Sequence, residues 1–203
     1  MKLTTIRHGE TKNNVSEILV SQEGGELTKK GKEQVKLLAK RLSKEEFDII
    51  YCSDSKRTRD TAKKIMRYHK KTPIIYTKEL REINRGDMVG RLGLEFWKEY
   101  KESGKSFAEF KPKNGESPLD LIKRIKKFIN KIKNKNKNKK VLFIVHGGVN
   151  RSLRDLILNQ TPSEKEMEIG KNENCCVNLF DFSKKRPKII LYNCTKHLPK
   201  TLK

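Results

Sequence analysis

Four short segments of this sequence place residue types suited to phosphate chemistry at or just beyond the ends of predicted strands. They are Arg7-His8, Arg57, Glu82 and His146. In an open α/β sheet, ligands bind beyond the carboxyl ends of the strands, so these residues are candidates for one common site. A neutral imidazole can attack phosphorus when its other ring nitrogen donates to a fixed acceptor. We therefore take His8 as the candidate nucleophile.

The remaining residues of this set suit the other tasks of phosphoryl transfer. Arg7 and Arg57 carry planar guanidinium groups that hold phosphate oxygens in pairs and keep their charge. His146 would complete the ring of contacts, and the amides of Gly147-Gly148 open onto a helix N-terminus that favours anions. A leaving alkoxide needs a proton, which Glu82 could donate if burial raises its pKa.

The elements that must position these residues alternate between strands and helices. Compact apolar runs predict strands, and apolar residues recurring every three or four positions predict amphipathic helices. This order predicts a three-layer α/β/α fold with a mostly parallel, doubly wound sheet. The predicted strands are 2–6, 47–52, 73–77, 141–145, 176–182 and 188–192, and the main helices are 28–43, the segment after Ser53-Asp54, 94–103, the segment from Ser117, and the segment from Gly147 to Leu158.

The chain is expected to form a single domain over residues 1–203, with two unusual segments. Residues 86–116 are rich in glycine and aromatic side chains and predict a cap over the active site, whose basic residues Arg85, Arg91 and Lys98 would hold a second acidic group. Residues 131–140 are almost entirely lysine and asparagine, and we interpret them as a solvated linker.

Composition limits the partners. The formal net charge is +23, which favours anionic ligands. The lysine-rich run lacks interleaved aromatic residues, so we expect a small phosphorylated substrate and no dedicated nucleic-acid partner. Four cysteines without a CxxC pair argue against a zinc site or a disulfide framework. No stretch suits a signal or membrane span, so we expect a cytoplasmic protein without a membrane partner; a homodimer remains open.

Several segments, in order along nearly the whole chain, resemble the motifs of the histidine phosphatase superfamily, the phosphoglycerate-mutase-like proteins. They begin with a histidine signature and end near the C-terminus. The matching segments are Ile6-Arg7-His8-Gly9-Glu10-Thr11 with Asn14, Leu27-Thr28 to Gln34, Ser53 to Ala62, Leu80-Arg81-Glu82-Ile83, Gly115-Glu116-Ser117, Val145-His146-Gly147-Gly148, and Asn193 to Leu198.

The resemblance implies a role for each matching position. His8 would be phosphorylated and Glu82 would donate the proton, with no metal. The phosphate pocket would consist of Arg7, Arg57 and His146, assisted by Asn14 and the Gly147 amide. Two departures concern specificity and the last motif: Val20-Ser21 stand where many relatives carry a Gln-Gly or Ser-Gly pair that touches substrate, and Cys194 stands where many carry aspartate.

Two activities are compatible with this resemblance. A mutase must protect its phosphohistidine from water and hold a second phosphate, which the mutase branch achieves with a long insertion between the proton donor and the second histidine. The interval from Glu82 to His146 is compact, so we expect a phosphomonoester hydrolase without a cofactor. The alternative is a phosphoglycerate mutase, which would require 2,3-bisphosphoglycerate.

Overall fold

The computed structural model of this protein describes residues 1–20, 22 and 24–203. Within them, the central feature is one six-stranded sheet. Its strands are β1 (Lys2–Arg7), β2 (Ile49–Ser53), β3 (Ile74–Thr77), β4 (Lys140–Val145), β5 (Val177–Asp181) and β6 (Lys188–Cys194).

The strand order is β3-β2-β4-β1-β5-β6. The pairs β1 with β4, β4 with β2, and β2 with β3 are parallel, whereas β5 runs antiparallel to both β1 and β6. The predicted mostly parallel α/β sheet is confirmed, with an antiparallel pair added at one edge. The central strands β1 and β4 end at Arg7 and Val145, which brings His8 and His146 to the same edge of the sheet.

Helices cover both faces of this sheet because its central strands are apolar on both sides. In β4, Val141, Phe143 and Val145 pack in one core and Leu142 and Ile144 in the other. The first core lies under α5 and α6, and the second under α2 and α3. The helices are α1 (Lys12–Val15), α2 (Lys29–Leu42), α3 (Lys56–Ile65), α4 (Gly93–Glu102), α5 (Pro118–Lys133), α6 (Gly147–Leu158) and α7 (Glu164–Ile169).

The lysine and asparagine run differs from the solvated linker that its composition suggested. Its first residues complete α5, and the side chains of Ile132 and Asn136 are buried. Asn136 Nδ2 donates to Tyr51 Oη at 3.2 Å and to the Ile132 carbonyl at 2.9 Å. The run therefore closes the connection into β4, with Ile132 and Asn136 buried and its other residues exposed. A buried amide can replace an apolar residue here because Tyr51 and Ile132 supply its hydrogen-bond partners.

The segment 86–116, which we call the cap, forms a small core of its own. It contains a 3-10 turn at Gly86–Met88 and helix α4. Met88, Phe96 and Phe110 are buried, and the rings of Trp97 and Phe107 stack with centroids 5.8 Å apart. No pattern in the sequence predicts α7, which is capped by Ser163 and lies beside this cap, where Glu164 accepts a hydrogen bond from Tyr100 at 2.8 Å.

No helix among the described residues is both long and apolar enough to cross a membrane.

Candidate active site

His8 lies directly after β1, buried, with a defined tautomer. Its Nδ1 is 2.8 Å from the carbonyl oxygen of Gly9. A carbonyl only accepts, so Nδ1 carries the hydrogen and Nε2 keeps its lone pair. Burial, followed by the charges of Arg57 and Arg7, lowers the pKa of His8 well below its ordinary value. The ring is therefore neutral at neutral pH, as a nucleophile must be.

Arg7 presents a hydrogen-bond donor beside this ring. Its Nη1 donates to the carbonyl of Asn172, whereas its buried Nε has no partner among the described residues. A methyl group placed on Gly147 would lie 3.6 Å from Arg7 Nε, so this donor and the N-terminus of α6 face the same space. An unpaired buried N–H is costly, and an anion is the natural partner for it.

Arg57 and His146 form the opposite wall. Arg57 Nε donates to His146 Nδ1 at 3.2 Å, and the two histidine rings lie 5.3 Å apart. Since a guanidinium only donates, the hydrogen of His146 is on Nε2, which lies 2.9 Å from Ser53 Oγ. Burial and the charge of Arg57 lower the pKa of His146. The sequence predicted a histidine that contacts phosphate, but here both ring nitrogens bind protein groups and the ring holds Arg57 in place.

This hydrogen-bond chain continues into the loop before α2. Ser53 Oγ lies 3.1 Å from Ser55 Oγ, and Ser55 Oγ donates to the carbonyl of Gln22. Every donor in the chain is thereby fixed in direction, from the imidazole of His146 to the backbone of the loop. The sequence analysis did not identify Ser55, because only the fold brings residue 22 next to it.

Glu82 is held at the N-terminus of α6. Its Oε2 accepts from the Gly148 amide at 3.0 Å and its Oε1 from the Ile83 amide at 2.9 Å. A methyl group on Gly148 would come 2.1 Å from Glu82 Oε1, so only glycine leaves room for the carboxylate. The preceding residue, Arg81, forms a bidentate ion pair with Asp54, at 2.7 Å for each contact.

The pKa of Glu82 does not follow from burial alone. Burial raises it, but Arg151, the Gly148 and Ile83 amides, and Arg85 together outweigh burial, so the pKa is lowered overall. Burial was the basis of the expected rise, and the structure corrects that expectation. The surrounding protein thus stabilises the carboxylate, and protonating it requires a nearby negative charge.

Asn14 and the predicted substrate loop are less directly placed. Asn14 is exposed, and its Oδ1 accepts from the Thr11 amide at 3.1 Å as part of the cap of α1. Val20 is half-buried in the loop, and Ser21 lies outside the described residues. Instead, Gln22 reaches the site, since its Nε2 donates to the Glu82 carbonyl at 2.8 Å. No local sequence pattern predicts this contact, because Gln22 and Glu82 lie 60 positions apart in the chain.

Comparison with known proteins agrees with this geometry. Residues 3–195 match the sequence profile of the histidine phosphatase superfamily (branch 1). The chain belongs to that superfamily. It is 33% identical to phosphoglycerate mutase-like protein 4 of Arabidopsis thaliana over 88% of this chain and 78% of that protein. It is 30% identical to phosphoserine phosphatase 1 of Hydrogenobacter thermophilus over 98% of this chain and 94% of that protein.

Among solved structures, Bacillus stearothermophilus YhfR superimposes with a TM-score of 0.86 at 25% identity, covering 97% of this chain and 98% of that one. The fold and the enzyme class, a histidine phosphatase, are therefore established. Within the described residues of this histidine phosphatase, no three His, Cys, Asp or Glu side chains are grouped as a metal site would need.

The three basic residues predicted to serve the cap are placed differently from one another. Arg85 is half-buried at the base of the cap, with its guanidinium 4.4 Å from the centre of the Phe96 ring. Arg91 and Lys98 are exposed, and the one ion pair of Lys98 with a described residue is with Glu102, at 4.0 Å. A further arginine, Arg151 on α6, faces Glu82, and the sequence analysis missed it although it lies one turn after Gly147.

Cys194, the other departure, lies away from the catalytic residues. Arg41 Nη1 contacts its sulfur at 3.3 Å and His197 Nδ1 at 3.0 Å. Arg41 belongs to α2, so this contact joins the C-terminal segment to the helix layer. The geometry gives Cys194 a structural place in this histidine phosphatase, and its side chain makes no hydrogen bond with the described residues of the phosphate pocket.

Proposed function

We propose that this protein hydrolyses a phosphomonoester of a small metabolite through a phosphohistidine on His8. The observation that carries the proposal is the tautomer of His8: Nδ1 donates to the Gly9 carbonyl, which leaves the Nε2 lone pair of a neutral, buried ring for attack. The unpaired Arg7 Nε lies beside it and supports a bound anion. Metal-independent positioning and positive charge are sufficient means of phosphoryl transfer.

In the first half of the reaction, His8 Nε2 forms a bond to phosphorus and the ester P–O bond breaks. Glu82 gives its proton to the departing alkoxide. Arg7, Arg57 and the amide of Gly147 hold the equatorial oxygens, and Asn14 assists with its Nδ2 group. His146 serves by keeping Arg57 in place, as the contact at 3.2 Å supports.

In the second half, a water molecule attacks phosphorus and the P–N bond breaks. The Glu82 carboxylate takes a proton from that water, and His8 returns to its neutral form as phosphate leaves. Glu82 thereby regains the proton that it gave away, and atoms and charge balance over the cycle.

The lowered pKa of Glu82 fits this cycle once substrate charge is included. A dianionic phosphate beside the carboxylate opposes its ionisation and raises its pKa. The proton donor is thereby prepared by the substrate, and the ionised form, which the protein stabilises, serves as the base in the second half.

The experiment uses the purified chain with a chelator, tested against sugar phosphates, phosphoglycerates, nucleotides and phosphorylated amino acids. We expect phosphate release from at least one class, and its loss in His8→Ala. The matched control is His69→Gln, since His69 is buried against Phe47, away from the site. Activity that survives in His8→Ala, or that chelation abolishes, would refute the mechanism.

A trapping experiment addresses the intermediate. A substrate with a labelled phosphoryl group should label the wild-type protein, and the label should be stable in base and labile in acid, as phosphohistidine is. The His8→Ala variant should carry no label.

Mutase activity is the second candidate, supported by the name of the Arabidopsis relative. It would appear as exchange of phosphate between the two hydroxyl positions of a phosphoglycerate, dependent on 2,3-bisphosphoglycerate. Net release of inorganic phosphate that does not need this cofactor favours the hydrolase.

A further inference from the structure

Four basic connections meet at the edge of the sheet opposite the catalytic histidines. The histidines follow the carboxyl ends of β1 and β4, whereas the connections that lead into the parallel strands lie at the other edge. Residues 66–73 lead into β3, residues 43–48 into β2 and residues 134–139 into β4. The turn 182–187 joins β5 to β6, and it lies at this same edge because β5 runs antiparallel to β1.

Backbone hydrogen bonds join these connections into one continuous row, which we call the basic edge. The amide of Asp48 donates to the Lys140 carbonyl at 2.9 Å. The amide of Lys2 donates to the Lys139 carbonyl at the same distance. The row crosses all six strands, and neighbouring strands lie about 4.8 Å apart, so its length is about 24 Å.

The cationic side chains of the basic edge lack partners in the protein. Exposed lysines elsewhere pair with carboxylates, as Lys12 does with Glu26 and Lys56 with Asp60, at 2.8 Å in each pair. The exposed lysines and arginine of the connections 134–139 and 182–187 make no ion pair and no side-chain hydrogen bond with a described residue. They are Lys135, Lys137, Lys139, Lys184, Lys185 and Arg186.

Acidic residues leave the basic edge with a large positive excess. The four connections and the adjoining strand ends contain four acidic residues, fewer than half the number of lysines and arginines there. Two of the four bind backbone amides: Asp48 accepts from Lys140 and Asp181 from Ser183, both at 2.7 Å. A positive surface of this length favours a partner that carries many negative charges.

An open groove lies at one end of the basic edge. The connections 43–48 and 66–73 enclose it, with a volume of about 490 Å³. Tyr68 lines this groove and is 55% exposed, and among the described residues of the four connections no other large apolar side chain is comparably exposed. The cationic residues that line the groove are Lys44, Arg67, Lys70 and Lys71, and all four are exposed.

This combination of groups fits a single strand of nucleic acid. Lysines act as point charges that bind phosphates in any sequence, and every base can stack on an exposed aromatic ring. The sequence predicts no dedicated nucleic-acid partner, because the lysine run contains no aromatic residue. That prediction considers the run by itself, whereas the fold places Tyr68 in the same row. A recessed groove also suits a flexible strand better than a flat bilayer.

We propose that the basic edge binds single-stranded nucleic acid, with phosphates along the row of cations and a base stacked on Tyr68. The bound strand lies at the opposite edge of the sheet from His8, so it leaves the phosphate pocket open. This interaction is separate from the proposed hydrolysis and does not depend on it.

The test measures the fluorescence anisotropy of labelled uridine and deoxythymidine strands of about 20 nucleotides, bound to the purified chain at several salt concentrations. Binding of either strand is expected. Replacing the three lysines of 134–139 by glutamine should reduce the slope of log affinity against log salt by about 2, the loss of three phosphate contacts. The matched control replaces Lys123, Lys126 and Lys127, which are exposed on α5, and should keep the slope.

The stacking contact has its own measurement. Tyr68→Ala should weaken binding of the strands by about five- to a hundredfold, the usual contribution of one stacked base. Its binding of inorganic polyphosphate, which has no bases, should stay at the wild-type level. Tyr76→Ala, which changes an exposed tyrosine of β3 outside the groove, is the control and should bind the strands as wild type does.

Three results would overturn the proposal once circular dichroism has shown that the variants are folded. Equal losses in the 134–139 variant and the α5 control would show that only the net charge matters. Displacement of the strand by inorganic phosphate at constant ionic strength would place it in the phosphate pocket. Tighter binding to phosphatidylglycerol vesicles than to either strand, reduced by the 134–139 changes, would identify a membrane surface instead.

Discussion

Arg57, in the phosphate pocket, lies against His146 and the Gly24 carbonyl, whereas Arg85, at the base of the cap, lies against the ring of Phe96. The first arginine is part of a hydrogen-bond network that begins on strand β2 and α3. The second depends on a small aromatic core outside the sheet. Regular elements therefore hold the arginine beside the two histidines, whereas the aromatic core of the cap holds Arg85.

The side-chain carboxylate and the backbone carbonyl of Glu82 also contact different parts of the molecule. Its carboxylate faces α6 through the Gly148 amide, and its carbonyl is contacted by Gln22 and by Arg124. Arg124 also binds Glu116, which accepts from the Asn84 amide at 2.8 Å. Glu82 is thus the residue at which the pocket and the loops around it are connected, and substitutions there should have the largest effects.

Glu82→Gln keeps the shape of the side chain but removes its proton chemistry. We expect kcat on alkyl phosphates to fall by about 10²- to 10⁴-fold, the usual contribution of a general acid. With p-nitrophenyl phosphate, the rate of phosphohistidine formation should fall much less, because the p-nitrophenolate leaving group needs no proton. Burst and steady-state kinetics on both esters measure this. If the rate of phosphohistidine formation falls equally for alkyl phosphates and for p-nitrophenyl phosphate, Glu82 is not the general acid.

Gly148→Ala should displace the same carboxylate from the α6 amide, since the new methyl group would come 2.1 Å from Glu82 Oε1. A displacement of about 1 Å costs on the order of a hundredfold in rate. Gly93→Ala is the comparison, because Gly93 lies on α4, outside the phosphate pocket, and its methyl group meets nothing closer than the Glu17 carbonyl oxygen at 3.4 Å. Steady-state assays on both variants should show the larger loss for Gly148→Ala, and the reverse order would contradict the geometry.

The acid limit of activity should follow the pKa of His8. Its attacking form is neutral, and protonation at low pH removes the lone pair. Since burial and the nearby arginines lower its pKa, His8 should be less protonated at pH 5.5 than an ordinary histidine, which would be about 90% protonated there. A pH titration of the imidazole resonances by NMR, assigned with His8→Ala, measures the midpoint. A midpoint at or above the ordinary value of about 6.5 would argue against this environment.

Lys98→Gln should have the smallest effect. Lys98 belongs to the cap, but its side chain is exposed and lies 4.0 Å from the Glu102 carboxylate. Exposed ion pairs contribute little, so kcat/KM should change by less than about twofold for every ester. A selective loss on one class of esters would instead show that the outer face of the cap contacts the substrate.

Much of the phosphate pocket could be predicted from the sequence because each residue follows a recognisable element. His8 comes after a short apolar strand, and His146 comes after the most apolar one. The parallel pairing of β1 with β4 then brings the two histidines together. The lowered pKa of Glu82 could not be predicted, because it depends on Arg151 and on an amide 66 positions away in the chain.

The sequence by itself determined the α/β class, the strand ends that hold Arg7, His8 and His146, and the type of chemistry, since these depend on local patterns and on residue types. Only the tertiary structure decided that His146 supports Arg57, that Gln22 and Ser55 connect the loop to the pocket, and that Arg85 and Arg151 face one cavity. The physical reason is that these contacts join residues far apart in the chain, and their hydrogen bonds and charges depend on distances that no local pattern encodes.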